Sequence, residues 1–166
     1  MYSQDASSAG SDDVLTGHAG HYAAGCKPWK LVNTVDVAMP CATQNEVNAS
    51  DAEALVTAGV KVLCEGANMP CSNDAIEVLH EAEVEFGPAK AANAGGVAVS
   101  GLEMSQNSQR LQWSAEEVDG QLQSIMENIY ETCDTTAREY GVSLQAGANI
   151  AGFLKVAQAM QAQGVV

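Results

Sequence analysis

Three short β-prone runs, each separated from the next by a helix-patterned segment, limit the folds open to this chain. Val35-Asp36-Val37-Ala38-Met39 ends at Pro40, Val60-Lys61-Val62-Leu63-Cys64 ends two residues before Gly66, and Val84-Glu85-Phe86 runs into Gly87-Pro88. β-branched and aromatic residues favour the pleated backbone, and Gly and Pro interrupt it. Between the first two runs, Ser50-x-x-Glu53 reads as a capping box that opens a helix through Ala58, stopped by Gly59. Between the second and third, a helix from about Asn73 to Ala82 sets Ile76, Leu79 and His80 on one inward face. His80 there reads as a side chain at the edge of a packed face, not as a base. Strand, helix, strand, helix, strand with short links folds by right-handed crossovers into three adjacent parallel strands. Both faces of so small a sheet need cover.

Something is missing from so small a sheet, and it is not expected downstream, where the pattern turns helical almost to the end. One helix is expected from about Ala94 to Leu111. A second begins at the capping box Ser114-x-x-Glu117 and carries Val118, Leu122, Ile125, Met126, Ile129 and Cys133 on one stripe. A third runs from about Ala148 to Gln163 and ends at Gly164. Residues 1–26 are rich in Ser, Gly, Asp and Ala with little apolar pattern, and are expected to be a poorly ordered N-terminal segment. Residues 27–166 are then one α/β unit whose regular structure starts near Trp29.

Each strand is followed at its carboxyl end by small residues and an amide side chain. These are Ala42-Thr43-Gln44-Asn45, Gly66-Ala67-Asn68 and Ala92-Asn93-Ala94-Gly95. In a parallel sheet those ends line one edge, and ligands bind in the crevice outside it. Small residues admit a flat ring, and amides offer both donor and acceptor to a carboxamide, a ribose hydroxyl or an amino group. The plainer reading is that Asn and Gly only cap turns, but three in parallel favour a shared ligand edge. The third strand is expected to turn through Ala94-Gly95-Gly96 into a helix N-terminus with free backbone N–H groups. From Asn93, Val97 and Ser100 follow at successive turns of that helix and share its face.

Composition excludes several classes. The formal charge of −14 repels a phosphate backbone, so no nucleic-acid partner is expected. No apolar run approaches the roughly 20 residues of a membrane span, and the polar, acidic start resembles neither a secretory signal nor an Arg-rich transit peptide. A soluble, cytoplasmic protein is expected. Cys26, Cys41, Cys64, Cys71 and Cys133 form no Cys-x-x-Cys pair, so neither a zinc site nor a disulfide framework is indicated. Cys41, Cys64 and Cys71, beside strand ends, read as buried or half-buried. His18, His21 and Cys26 lack the fixed spacing of a ligand set. Met69, Met104, Met126 and Met160 read as packing residues.

The run Lys90–Asn107, KAANAGGVAVSGLEMSQN, resembles the C-terminal part of the hexameric, NADP-type glutamate dehydrogenases, within the Glu/Leu/Phe/Val dehydrogenases. Pro40-Cys41-Ala42-Thr43-Gln44-Asn45, Glu65-Gly66-Ala67-Asn68-Met69-Pro70 and Gly147-Ala148-Asn149-Ile150-Ala151-Gly152-Phe153 resemble that family's other motifs in the same order, so that the similarity spans roughly residues 25–166. The resemblance implies the distal half of a Rossmann-like coenzyme domain plus C-terminal helices. It implies NADP or NAD as cofactor, glutamate, 2-oxoglutarate and ammonia as substrates, and a homo-oligomer, a hexamer in the family. By the same resemblance Ala42, Thr43, Gln44 and Asn68 lie along the nicotinamide and its ribose. Asn93 lies between nicotinamide and amino acid, and Val97 and Ser100 meet the amino-acid side chain, with the Ser100 hydroxyl on the distal carboxylate.

Three departures matter. A dinucleotide fold opens with a strand and a Gly-x-Gly-x-x-Gly turn, and this sequence has none, since Gly17-x-x-Gly20 lacks both flanking elements. Nor does any residue here match the family's catalytic lysine and aspartate, so no catalytic residue is assigned and Lys90 is read as structural or at the substrate edge. Val99 stands where the family pattern favours Thr. The readings left are part of a glutamate dehydrogenase, a truncated non-catalytic domain that at most associates with full-length subunits, and a relative acting on another amino acid, against which Ser100 speaks.

Overall fold

The computed structural model describes residues 24–164. Its sheet has three parallel strands in the order β1 (Val37–Ala38), β2 (Val62–Cys64) and β3 (Glu85–Gly87). Leu63 is the central register residue, opposite Ala38 on one side and Phe86 on the other. The crossovers are α1 (Ala49–Thr57) and α2 (Asn73–Glu81), and a 3-10 turn, Pro28–Lys30, leads into the fold. After β3 come α3 (Ala89–Ala92), α4 (Ala94–Gln109), α5 (Ala115–Tyr140) and α6 (Leu144–Gln163). The α/β class and the parallel order match the expectation. The core lies between the sheet and its crossover helices, built on Ala38, Val47, Leu55, Leu63, Leu79 and Phe86.

The strands are shorter than their apolar runs because helix ends claim the first residues. At the end of α1, Gly59 takes a left-handed φ of 86°, its N–H donates to Val56 O, and the Val60 N–H donates to Leu55 O. That is the Schellman arrangement, with its apolar residue just beyond the turn. Glu83 (φ 55°) and Val84 repeat it at the end of α2, bonding back to His80 O and Leu79 O. Val35 is likewise spent on the α1 terminus, donating to Ala58 O.

Three expected boundaries are corrected. The capping box of α1 is Asn48-x-x-Asp51, two residues before Ser50-x-x-Glu53: Asn48 Oδ1 accepts from Asp51 N and Asp51 Oδ2 accepts from Asn48 N, both at 3.0 Å. A long-range reason decides the register. The Asp51 side chain, 1% exposed, pairs with Lys27 Nζ at 2.7 Å and Lys30 Nζ at 3.5 Å, which pins the 3-10 turn to α1. Burial would raise its carboxyl, but the Lys27 and Asn48 hydrogen bonds and both lysine charges outweigh that and hold it below its usual 3.8.

Helix α6 starts at Leu144, four residues before the expected Ala148, with Ser143 Oγ as cap acceptor for Ala146 N. Gly147, which reads locally as a helix breaker, is buried where α6 crosses α5. The expected turn through Gly95-Gly96 is also absent. Pro88 leads directly into α3, and both glycines sit in the first turn of α4, where a Cβ on Gly95 would touch Leu122 and Met126 of α5 at 3.4 and 3.5 Å.

The α5 box, Ser114 with Glu117, forms as expected, and its stripe is half-buried to buried. Cys71 and Cys133 are buried and Cys64 half-buried, but Cys41 is exposed, because it lies beyond the sheet in the loop after Pro40. Met126 is half-buried, whereas Met69, Met104 and Met160 lie exposed among the described residues. His80 sets its ring edge-on to Phe86, centroids 5.7 Å apart, in line with a packed face. Of the N-terminal segment 1–26, all but residues 24–26 falls outside the described residues, as do His18 and His21. Among the described residues no group of three His, Cys, Asp or Glu could hold a metal, and no helix is long and apolar enough to cross a membrane.

Candidate functional site

The carboxyl ends of the three strands open onto a cleft of about 680 Å³. Cys41, Ala42, Thr43 and Gln44 line it from the loop after β1, Gly66, Ala67 and Asn68 from the loop after β2, and Asn93 and Val97 from the start of α4. Six of the seven residues expected at a ligand edge therefore meet in one place. Ser100 does not line it, standing exposed on α4 seven residues, about two turns, past Asn93.

The loops that carry these side chains are laced together beyond the sheet. Pro40 O accepts from Gly66 N and Ala67 N, each at 3.0 Å. Asn45 N donates to Met69 O, Val47 N to Pro70 O and Ser72 N to Val47 O, all at 2.9 Å. Asn45 and Met69 take left-handed φ values of 56° and 48°. That region disfavours side chains other than Asn, Asp or Gly, so these hydrogen bonds offset a local cost, and the turns stand directly after Gln44 and Asn68. Gly66 also has a steric reason, since a Cβ there would overlap Cys41 Sγ.

At the centre of the cleft, Asn93 Nδ2 donates to Asn68 Oδ1 at 2.7 Å and to Ala67 O at 3.4 Å. This pairing leaves the Asn68 amino group and the Asn93 carbonyl oxygen without a partner among the described residues. A free donor and a free acceptor in the same cleft can complement a primary carboxamide, which presents the reverse pair. Among the described residues no charged side chain lines the cleft. The donor set therefore fits the neutral carboxamide and ribose end of a nicotinamide cofactor and offers no cation to its phosphates. Val97, 74% exposed at the rim, adds an apolar edge.

Lys90 stands outside this cleft, and its Nζ donates to Asn149 Oδ1, tying α3 to α6. That tie suits a structural role, and Lys90 also lines an adjoining cavity with Gln44 and Asn68. Thiolate chemistry is disfavoured at Cys64 and Cys71: burial first, then the Glu65 carboxylate, raises both thiols. Sequence reasoning missed Glu65 itself, 4% exposed at the end of β2. Its signal was a lone acid between an apolar strand and a Gly-Ala turn, where solvation alone would not place one.

A family model described as Glutamate/Leucine/Phenylalanine/Valine dehydrogenase matches residues 4–164, so the similarity begins well before residue 25. The chain is 57% identical to the NADP-specific glutamate dehydrogenase of Giardia intestinalis over 87% of its own length and 33% of that protein's. It is 56% identical to the NADP-specific glutamate dehydrogenase of Haemophilus influenzae over 87% of its length and 32% of that protein's. Glutamate dehydrogenase 2 of Plasmodium falciparum superposes with a TM-score of 0.78 at 53% identity, covering 84% of this chain and 30% of that one. The chain thus spans about a third of the length of the curated relatives it matches. With three parallel strands, a polar cleft at their carboxyl ends and a family match over nearly its whole length, this chain belongs to the Glutamate/Leucine/Phenylalanine/Valine dehydrogenase family.

Proposed function

We propose that this chain supplies the nicotinamide and substrate edge of an NAD(P)-dependent glutamate dehydrogenase, which interconverts L-glutamate with 2-oxoglutarate and ammonia. The observation that carries the reading is the Asn68–Asn93 pair, with one donor and one acceptor left free in an uncharged cleft at the sheet's carboxyl edge. The NADP-specific relatives support the cofactor class. Ala42, Thr43 and Gln44 flank the ring and its ribose through small side chains and polar ends. Asn68 and Asn93 orient the carboxamide, and Asn93 also faces the amino acid. Val97 packs on the substrate's hydrocarbon stem, and Ser100, further along α4, meets the distal carboxylate. Hydride exchange is the chemistry of a bound nicotinamide, and this chain's part is position and electrostatics.

The test is a chimaera in which residues 24–164 replace the matching third of the Haemophilus influenzae enzyme. Glutamate-dependent NADP reduction within about tenfold of the parent is expected, since a tenfold loss is only about 1.4 kcal/mol of transition-state stabilisation. A folded chimaera that binds coenzyme and turns over no glutamate would refute the reading. It would favour a non-catalytic domain that only associates with complete subunits.

A further inference from the structure

The Glu65 carboxylate lies at the end of β2, buried, and no Lys, Arg or His among the described residues forms an ion pair with it. Its two oxygens are instead used separately. Oε1 accepts from Cys71 N at 3.2 Å, and Oε2 accepts from Ala89 N at 2.8 Å. Both donors stand at helix beginnings: Cys71 immediately precedes Ser72, the cap of α2, and Ala89 is the first residue of α3. Ala89 N–H is an otherwise unpaired donor in the first turn of α3 and Cys71 N–H lies just outside the α2 cap, so the buried carboxylate is satisfied by backbone hydrogen bonds instead of a side-chain cation. Two donors arriving from different directions need two acceptor oxygens. A carboxylate has them, and a carboxamide has one.

The positions of those donors give the arrangement its consequence. Cys71 lies three residues after Asn68, at the far end of the left-handed turn at Met69 and the Pro70 that follows. Ala89 lies four residues before Asn93, at the other end of α3. One rigid carboxylate, itself anchored to the sheet through Glu65 N to Gly87 O at 2.9 Å, thus ties down both segments that carry the asparagine pair. We propose that Glu65 is a positioning residue that sets the separation of Asn68 and Asn93, and so keeps their free donor and acceptor in register for a carboxamide. The ligand part of this rests on the reading of the cleft given above. The positioning part does not.

The experiment uses the ¹⁵N-labelled 166-residue chain without ligand. In the wild type, the Cys71 and Ala89 amides should be protected from hydrogen exchange at least about a hundredfold and should share one opening, because withdrawal of one carboxylate frees both. Absence of protection at either amide overturns the proposal without any variant. Glu65→Gln substitutes an amino group for one oxygen, so only one of the two amides can stay bonded. The expected result is loss of protection at Cys71 or Ala89, retained protection of the sheet amide of Glu85, which donates to Lys61 O, and a shift of the Asn93 side-chain NH₂ signals. That shift should run toward their position in Asn68→Ala, where the acceptor is gone. Released Cys71 or Ala89 with unmoved Asn93 signals would make Glu65 a structural tie only and overturn the proposal. Should Glu65→Gln fail to fold, Glu65→Asp keeps both oxygens on a shorter stem and is expected to shift the same Asn93 signals, while no shift refutes positioning. Nicotinamide mononucleotide is then titrated into the wild type as a separate arm. Silence at Asn68 and Asn93 there sinks the ligand reading and leaves the ligand-free result to decide the role of Glu65.

Discussion

Replacing Gly147 by alanine puts a methyl group into the crossing of α5 and α6. The new Cβ would lie 2.6 Å from Cys133 O, 2.7 Å from Ala137 Cβ and 2.8 Å from Ala137 N. Two of those neighbours are backbone atoms of a continuous helix, which cannot rotate aside, so α6 itself must move by about 1 Å to restore ordinary contact. Forcing an extra methyl into a packed site costs about 1–3 kcal/mol. The same change gains about 1 kcal/mol in helix propensity and unfolded-state entropy. Because the clash is with backbone, the steric cost should fall in the upper part of that range, about 2–3 kcal/mol, leaving a net loss of about 1–2 kcal/mol, or a melting temperature lower by about 3–6 °C. Gly152 supplies the internal control, being on the same helix with nothing within 4 Å of its would-be Cβ. Gly152→Ala should raise stability by about 0.5–1 kcal/mol through propensity alone. Thermal and urea unfolding followed by circular dichroism at 222 nm would measure both. A Gly147→Ala variant as stable as wild type, or two changes of the same sign, would refute the claim that close helix approach is what keeps residue 147 glycine.

Other outcomes follow from single sites. The carboxyl of Asp51 is held below 3.8 in the fold, so its contribution is complete above that value and is lost as pH falls through the folded value. Asp51→Asn should therefore destabilise by about 1–3 kcal/mol at pH 7 in urea melts, with the gap from wild type narrowing below pH 3.8. NADPH should bind the 166-residue chain alone no tighter than about millimolar by fluorescence titration, because no cation among the described residues lines the cleft and the sequence has no glycine fingerprint for the phosphates. Micromolar binding would show that the phosphates are held elsewhere in the chain. In the active chimaera, Ser100→Ala should lower kcat/KM for glutamate about ten- to a hundredfold, the worth of a charge-assisted hydrogen bond. Norvaline, which has no distal carboxylate, should be spared, and equal losses on both substrates would return Ser100 to a plain surface residue of α4.

The sequence by itself determined what depends on neighbours within a turn or two. The order of strands and helices, the box Ser114-x-x-Glu117, the stop at Gly59 and the apolar stripe of α5 all rest on side chains one to four residues apart, and each is legible as a spacing. The cleft was legible too, because parallel connectivity alone brings the ends of the three strands to one edge. Only the tertiary structure decided the rest, where the partner lies far along the chain. Asn48-x-x-Asp51 prevailed over Ser50-x-x-Glu53 because Asp51 pairs with Lys27, 24 residues away. Gly147 meets α5 so closely that a Cβ would not fit, and Ser100 lies about two turns past Asn93, outside the lining of the cleft. Glu65 was illegible for the same reason: its worth lies in amides 6 and 24 residues distant, which no local pattern records until the fold brings them to one carboxylate.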